Sequence, residues 1–220
     1  ADDFAELNTN KDAISTASPE FLLGQAILEF DPSSYTYWFF NSTNFAYCVQ
    51  TAVPSGSATE TIIEGSQQGG YKNVDVQAYL YAIKYELSKM SAEDAAKYQQ
   101  LESIVKVLAT YLGIYDTDFC GDIPYTEAAQ ARYGGTLTPK YDAVKDLYDL
   151  FLSDLDDCIR IFTTATNQYA LTKQDVVYGG DMTKWAKLAN SLKLKIAARL
   201  IHQDLPKAKT IVSQVKSASC

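Results

Sequence analysis

The sequence has little of what metal sites and nucleic-acid binding require. It contains one histidine, His202, which excludes a site built from several histidines of this chain. Its four cysteines, Cys48, Cys120, Cys158 and Cys220, lie far apart and form no C-x-x-C pair, so a zinc knuckle is not indicated. The formal net charge of -8 argues against nucleic-acid binding, because contacts to phosphates need a basic face.

Long apolar runs are also absent. No segment approaches the roughly 20 consecutive apolar residues that a membrane-spanning helix requires. No signal peptide is visible, and because residue 1 is an alanine we expect a processed or recloned chain. Hydrophobic residues nevertheless make up 47% of the sequence, enough for a sizeable core, and tyrosine is abundant at 16 residues. Tyrosine rings either form a stacking surface for sugars or fill helix interfaces, and filling is the more common use.

The hydrophobic pattern predicts an all-α chain. Apolar residues recur with a period of 3.6 in segments that loops of Gly, Pro and polar residues separate. The predicted helices are one from Ser18 to Asp31, one over 34–49, one over 74–90, one from Ser91, one over 144–162, one within 178–200 and one over 205–215. Long loops are predicted over 51–70 and 115–142. No segment has a convincing strand pattern, so the order favours stacked helical hairpins.

Several residues are predicted to be buried. Leu108 and Leu192 lie in the middle of apolar stripes on long helices, and Trp185 lies on the apolar face of the helix within 178–200. Cys48 and Cys158 sit among apolar helix positions, which favours buried thiols over disulfides.

Two of the predicted helices have opposite charge. The helix over 142–162 carries six aspartates, whereas Lys184, Lys187, Lys195, Arg199 and His202 form a basic stripe near the end of the chain. Opposite charge favours packing of the two helices, although each exposed ion pair contributes only about 0–1 kcal/mol. The alternative, that both are simply solvated faces, remains open.

Four segments resemble the SusD/RagB-like proteins, the surface glycan-binding lipoproteins of Bacteroidetes. These segments are DDFAELNTNKDA (2–13), GDIPYTEAA (121–129) followed by TPKYD (138–142), VYGGD (177–181) followed by KWAKLANSLKLK, and the longer stretch DVVYGGDMTKWAKLANSLKLKIAARL (175–200). Their order and spacing also match the family, so the resemblance covers almost the whole chain.

The resemblance implies a fold and a function. The fold would be a single all-α domain over 1–220, a tetratricopeptide-like α/α superhelix that lacks the family's C-terminal half. The protein would be an outer-membrane, cell-surface lipoprotein, lipid-anchored just before residue 1. It would capture an oligosaccharide or another nutrient such as a peptide for a SusC-like TonB-dependent transporter. It would be neither an enzyme nor a cofactor- or metal-binding protein.

Aromatic and amide side chains are the candidate ligand contacts, because sugars stack on ring faces and hydrogen-bond at the rim. The densest cluster is SSYTYWFFNSTNF, and the resemblance implies a contribution from this early segment too. The weaker candidates are tyrosines of loops that contain Gly or Pro. The full set is Tyr37, Trp38, Asn41, Asn44, Tyr71, Tyr125 and Tyr133. The competing interpretation of Trp38 is core packing in the second helix.

Two other functions remain open from the residues. A helical array is also a scaffold on which a peptide or protein partner binds. A glycosidase would need a pair of carboxylates, for which Asp116 with Asp118, or Asp122 with Glu127, are the nearest candidates. Loop carboxylates are usually only solvated, so the enzyme reading is the weakest of the three.

Overall fold

The structure, a computed structural model, describes residues 17–31, 46, 49–51 and 71–217. These residues form seven α-helices and a short 3-10 turn over Ala131–Tyr133. The helices are α1 (Pro19–Phe30), α2 (Asn73–Ser88), α3 (Ala92–Ala96), α4 (Gln99–Cys120), α5 (Val144–Thr164), α6 (Met182–Leu200) and α7 (Leu205–Ser217). The described ranges contain no strand beyond an isolated antiparallel bridge between Ile123 and Asp142, which confirms the all-α prediction.

The helices pack in chain order around α4. Helix α1 contacts α2 and α4, α2 contacts α4, and α4 contacts α5 and α6; α5 then packs on α6, and α6 on α7. The core confirms the predicted buried positions, because Leu108, Leu192 and Trp185 are exposed by only 2%, 1% and 0%. Cys158 is buried as predicted, whereas Cys120 is exposed.

Part of the predicted organisation lies outside the described residues. The predicted second helix over 34–49 falls largely there, as does nearly all of the loop over 51–70. Cys48 and Cys220 are also outside the described part of the chain.

Local capping signals set the first helix starts. The hydroxyl oxygen of Ser18 accepts a hydrogen bond from the Phe21 amide, and Pro19 occupies the first turn, where it loses no hydrogen bond. Ser91 caps α3 in the same way, through the Asp94 amide at 3.1 Å. Both starts agree with the sequence prediction.

The helix predicted from Ser91 is instead two helices, α3 and α4. The break lies at Tyr98, whose backbone leaves helical geometry at φ -107 and ψ 8. The preceding carbonyls bond elsewhere: Ala96 accepts from the Gln168 side chain at 2.9 Å, and Lys97 accepts from the Tyr169 amide at 2.8 Å. Residues of the connector after α5 thus donate to two carbonyls that would accept from backbone amides in a continuous helix.

Helix α4 also runs further than predicted. The loop expected over 115–142 starts only at Gly121, whose φ of 70 is a conformation that favours glycine. In these last turns Asp116 is buried and accepts hydrogen bonds from the amides of Lys72 and Asn73, which ties this end of α4 to the start of α2. Earlier in α4, Gly113 lets the aromatic rings of Phe151 and Tyr125 approach the backbone, since an added Cβ would lie 2.7 and 2.8 Å from them.

Of the two interpretations that the sequence left open, the structure has the acidic helix packed on the basic one, but mostly through other residues. Lys193 of α6 is 5% exposed and its ammonium lies 2.5 Å from the Asp156 carboxylate of α5. Lys193 was not part of the predicted basic stripe. Of that stripe, Arg199 pairs with Asp118 of α4, and Lys184 pairs with Asp181 at the start of its own helix.

A buried carboxylate organises the connector before α6. Asp175 is 1% exposed and accepts four hydrogen bonds. Its Oδ1 accepts from the amides of Val177 and Tyr178, both at 3.0 Å. Its Oδ2 accepts from the Gly180 amide at 2.9 Å and from the indole N–H of Trp185 at 2.7 Å. The segment DVVYGGDMTKW is therefore a turn folded around one aspartate, with the tryptophan of α6 locked to it.

Candidate ligand-binding surface

The loop over 121–143 is closed at its base by its own acidic side chains. The Asp142 carboxylate accepts from the amides of Tyr125 and Thr126 at 3.1 and 2.7 Å, beside the bridge between Ile123 and Asp142. Asp122 accepts from the Val144 amide at 3.0 Å and so satisfies the first turn of α5. The GDIPYTEAA and TPKYD segments therefore contact each other.

The middle of this loop lies against α2. The Gln130 side chain donates to the hydroxyl of Tyr81 at 2.8 Å. The ring of Tyr133 lies 5.0 Å from that of Tyr85, and the Lys89 ammonium lies 4.0 Å from the centre of the Tyr85 ring. Tyr85 remains 48% exposed, so this pair presents aromatic area to solvent.

A second tyrosine pair forms where the chain enters α2. The Tyr71 hydroxyl donates to the Tyr141 hydroxyl at 3.0 Å, with the rings nearly perpendicular at 6.3 Å. This hydrogen bond is the main reason that the pKa of Tyr71 is raised to about 12. Tyr141 is 64% exposed. We call Tyr71, Tyr85, Tyr133 and Tyr141 the tyrosine surface.

The two pairs are arranged along one helix. Tyr71 lies just before α2 and Tyr85 lies in its last turn, so the two pairs lie near opposite ends of a helix that is about 24 Å long. Both partners, Tyr133 and Tyr141, come from the loop over 121–143. The surface therefore offers two separated aromatic contacts on the same pair of elements, with hydroxyl and amide groups around them.

A family model described as "Starch-binding associating with outer membrane", for SusD-like proteins, matches residues 11–219. The chain belongs to the SusD-like family. Similar solved structures include a chitin-binding protein, at 25% identity and a TM-score of 0.66, over 91% of this chain and 43% of that one. A SusD-like protein titled Bacteroidetes AC2a has 25% identity and a TM-score of 0.62, over 91% and 37%.

A SusD homologue from Parabacteroides distasonis shares the fold, with 19% identity and a TM-score of 0.67 over 90% of this chain and 38% of the homologue. This SusD-like chain thus spans about two-fifths of the length of these structures. No curated protein matches it. In the described part of the chain, no helix combines the length and apolar character needed to cross a membrane.

The sequence-predicted ligand residues of this SusD-like chain have three different outcomes. Tyr71 and Tyr133 lie in the tyrosine surface with partly exposed rings. Tyr125 does not, because it is a core residue, 7% exposed, with its ring 4.9 Å from that of Phe151. Burial also raises its pKa. The remaining four candidates, Tyr37, Trp38, Asn41 and Asn44, lie outside the described residues.

Sequence reasoning missed Tyr85 and Tyr141. Tyr85 lies between the buried residues Ile83 and Leu87, so the 3.6-residue period alone places it on the outer face of α2. Tyr141 lies between Lys140 and Asp142 in the TPKYD segment, and its charged neighbours are a signal for an exposed position.

The carboxylates considered for a glycosidase all have structural partners. Asp116, whose pKa burial raises, accepts from the amides of Lys72 and Asn73 at 3.0 and 2.8 Å. Asp118 is paired with Arg199, as described above. Glu127 accepts from the Lys140 amide at 3.1 Å and lies 3.8 Å from the Lys140 ammonium. Among the residues described, no cluster of metal-ligating side chains occurs.

Proposed function

We propose that this SusD-like chain is the helical part of a cell-surface glycan-capture lipoprotein. It binds an oligosaccharide without acting as an enzyme and delivers it to a SusC-like TonB-dependent transporter in the outer membrane. The observation that carries this proposal is the family match over residues 11–219, whose description names starch binding and the outer membrane. The structural likeness to a chitin-binding protein supports a glycan ligand as well.

The chemistry of the tyrosine surface suits such a ligand. The C–H faces of a pyranose ring stack on exposed tyrosine rings, and its hydroxyls bond to phenol, amide and carboxylate groups. Tyr85 and Tyr141 are 48% and 64% exposed, which leaves ring area for that contact. Because the two pairs are separated along α2, they favour an extended oligosaccharide over a single sugar.

Glycan binding is tested by affinity gel retardation and calorimetry with maltoheptaose and chitohexaose. The double variant Tyr85→Ala with Tyr141→Ala should bind at least one of them about 30-fold more weakly or worse, because each lost stacking contact is worth roughly 1–3 kcal/mol at other flat ring systems and two are lost. The matched control is Leu137→Ala in the same loop, since Leu137 is 87% exposed but has no ring. Its binding should equal that of the parent chain.

The proposal fails if neither glycan binds the parent chain. Retention of a peptide ligand under those conditions would instead favour the protein-interaction scaffold. Equal binding by the parent chain and the double variant would keep glycan capture but remove the tyrosine surface as its site.

The membrane anchor and the transporter partner must be tested in the native organism. We propose that the native protein is held at the membrane by acyl chains on a cysteine at its mature N-terminus. Replacing that cysteine should move the protein from the membrane fraction to the soluble fraction. A TonB-dependent transporter should co-purify with the native protein, identified by mass spectrometry. Unchanged membrane association would contradict the lipid anchor. Purification without a transporter would contradict the proposed partner.

A further inference from the structure

A depression that shares no residue with the tyrosine surface lies where three segments meet. Its walls come from the end of the α2–α3 turn, from the break between α3 and α4, and from the connector after α5. The volume is about 650 Å³, and the lining residues are Met90, Asp94, Lys97, Tyr98, Asn167, Gln168 and Tyr169.

The connector is held firmly at this place. The Tyr169 amide donates to the Lys97 carbonyl at 2.8 Å. The Gln168 side chain accepts from the Gln100 amide at 3.0 Å and donates to the Ala96 carbonyl at 2.9 Å. Three hydrogen bonds therefore fix the segment to the break between α3 and α4, so the side chains next to it are preorganised.

Two tyrosine rings stack at the wall. Tyr98 and Tyr169 lie nearly parallel, at 16° and a centroid distance of 5.4 Å. The Tyr98 hydroxyl donates to the Glu20 carboxylate of α1 at 2.9 Å, which holds the inner ring in place. Tyr169 remains 42% exposed and lines the depression, so part of its ring is open to a ligand there.

Polar groups of both hydrogen-bonding types surround this ring. Asn167 is exposed, has a φ of 54 and makes no side-chain hydrogen bond within the described ranges, so its amide is free to donate and accept. The Lys97 ammonium lies 2.8 Å from the Asp94 carboxylate, which gives the rim donors and acceptors without net charge. A flat ring, a free amide and a balanced ion pair match a neutral, hydroxyl-rich ligand better than a charged one.

We propose that this depression is a second carbohydrate-binding site, in which a pyranose ring stacks on Tyr169 and hydrogen-bonds to Asn167 and the Asp94–Lys97 pair. The inference rests on the proposed glycan-capture function and adds a site to it. Two sites on one rigid array bind a long glycan more tightly than either alone, because the second contact becomes intramolecular.

Methionine methyl NMR tests the site directly, since the chain has only two methionines. Met90 lines the depression, whereas Met182 is the first residue of α6 and does not. In a sample labelled with carbon-13 at the methionine methyls, maltoheptaose or chitohexaose should shift the Met90 signal in a saturable way. The Met182 signal should stay in place and so reports that the fold is unchanged.

Three variants separate the contacts. Tyr169→Ala should weaken the affinity read from Met90 by about 10-fold, whereas Tyr169→Phe should retain it, because stacking needs the ring and not the hydroxyl. Asn167→Gly removes the amide, and glycine adopts the positive φ at this position readily, so weaker binding without loss of stability is expected. Leu137→Ala, at an exposed position outside both sites, should leave the Met90 affinity unchanged.

The possible failures are distinguishable. Gel retardation of the parent chain by a glycan, with a static Met90 signal, would overturn the second site and leave the proposed function standing. A chain that no glycan retards and whose Met90 signal is static would overturn both. A Met90 titration that neither Tyr169→Ala nor Asn167→Gly weakens would overturn the second site as well.

Discussion

Substitution of Asp175 should expose how much the connector before α6 depends on one carboxylate. In Asp175→Asn, one carboxylate oxygen becomes an N–H donor, which then faces two N–H groups that it cannot bond. If the new amide nitrogen takes the Oδ2 position, the bonds from Gly180 and Trp185 are lost; in the other rotamer, those from Val177 and Tyr178 are lost. The variant therefore keeps two of the four hydrogen bonds.

The expected loss follows from that count. A hydrogen bond to a charged group contributes about 1.5–3 kcal/mol, so two lost bonds remove about 3–6 kcal/mol. Burying a neutral amide costs less than burying a carboxylate, which offsets part of the loss. We expect Asp175→Asn to lower the free energy of unfolding by about 2–4 kcal/mol, and Asp175→Ala, which keeps none of the bonds, by more.

Urea unfolding followed by far-ultraviolet circular dichroism measures this difference. The matched control is Asp181→Asn in the same segment, because Asp181 caps α6 through the amides of Thr183 and Lys184 and asparagine caps helices equally well. We expect the control to lose less than about 0.5 kcal/mol. A loss for Asp175→Asn as small as that of Asp181→Asn would refute the assignment of Asp175 as the centre of the turn.

Other positions give independent tests by the same unfolding assay or by labelling. Gly113→Ala should cost about 1–3 kcal/mol through contact with buried rings, whereas Gly24→Ala in α1 meets no atom within 4 Å and should be neutral or stabilising; equal effects would contradict this. Leu192→Ala should cost about 2–5 kcal/mol, and a loss below about 0.5 kcal/mol would mean an exposed stripe. At pH 8, peptide mapping should find the exposed Cys120 labelled and Cys158 protected until unfolding, since burial raises the Cys158 pKa to about 12; rapid labelling of Cys158 would disprove its burial.

Helix starts were predictable where the signal is local. The Ser18–Pro19 and Ser91–Asp94 patterns place a capping oxygen within three residues of the amide that it accepts from, so adjacent sequence contains the whole interaction. The same holds for the buried stripe of α4, because the 3.6-residue period repeats over many turns.

Boundaries set by distant residues were not predictable. The break before α4 depends on Gln168 and Tyr169, about 70 positions further along the chain. The late end of α4 depends on Asp116, which is buried where it meets the start of α2. The sequence next to these positions contains no signal for either contact. The Tyr, Asp and Gly residues at the ends of α4 are instead typical of a loop.

Prediction of the candidate site from sequence has the same limit, because it also depends on distant residues. Sequence identifies loop tyrosines as sugar contacts by their chemistry, and Tyr71 and Tyr133 do lie at the surface. Whether a given ring turns inward depends on space elsewhere: Tyr125 enters the core because Gly113, on a different element, has no side chain there. The Tyr98–Tyr169 stack brings together residues 71 positions apart and has no sequence signal at all.

The last turns of α4 have a consequence for how the array can be divided. Helix α2 begins at Lys72 and Asn73 without a side-chain cap of its own, and its first amides are satisfied by Asp116. Two residues later, Asp118 holds Arg199 of α6. One stretch of α4 therefore completes helices that lie both before and after it in the chain. Hairpins of this protein are not exchangeable modules. Removing or transplanting the unit that contains α4 would take Asp116 from the first amides of α2 and Asp118 from the Arg199 guanidinium, so chimaeric junctions should not separate α4 from α2 or α6.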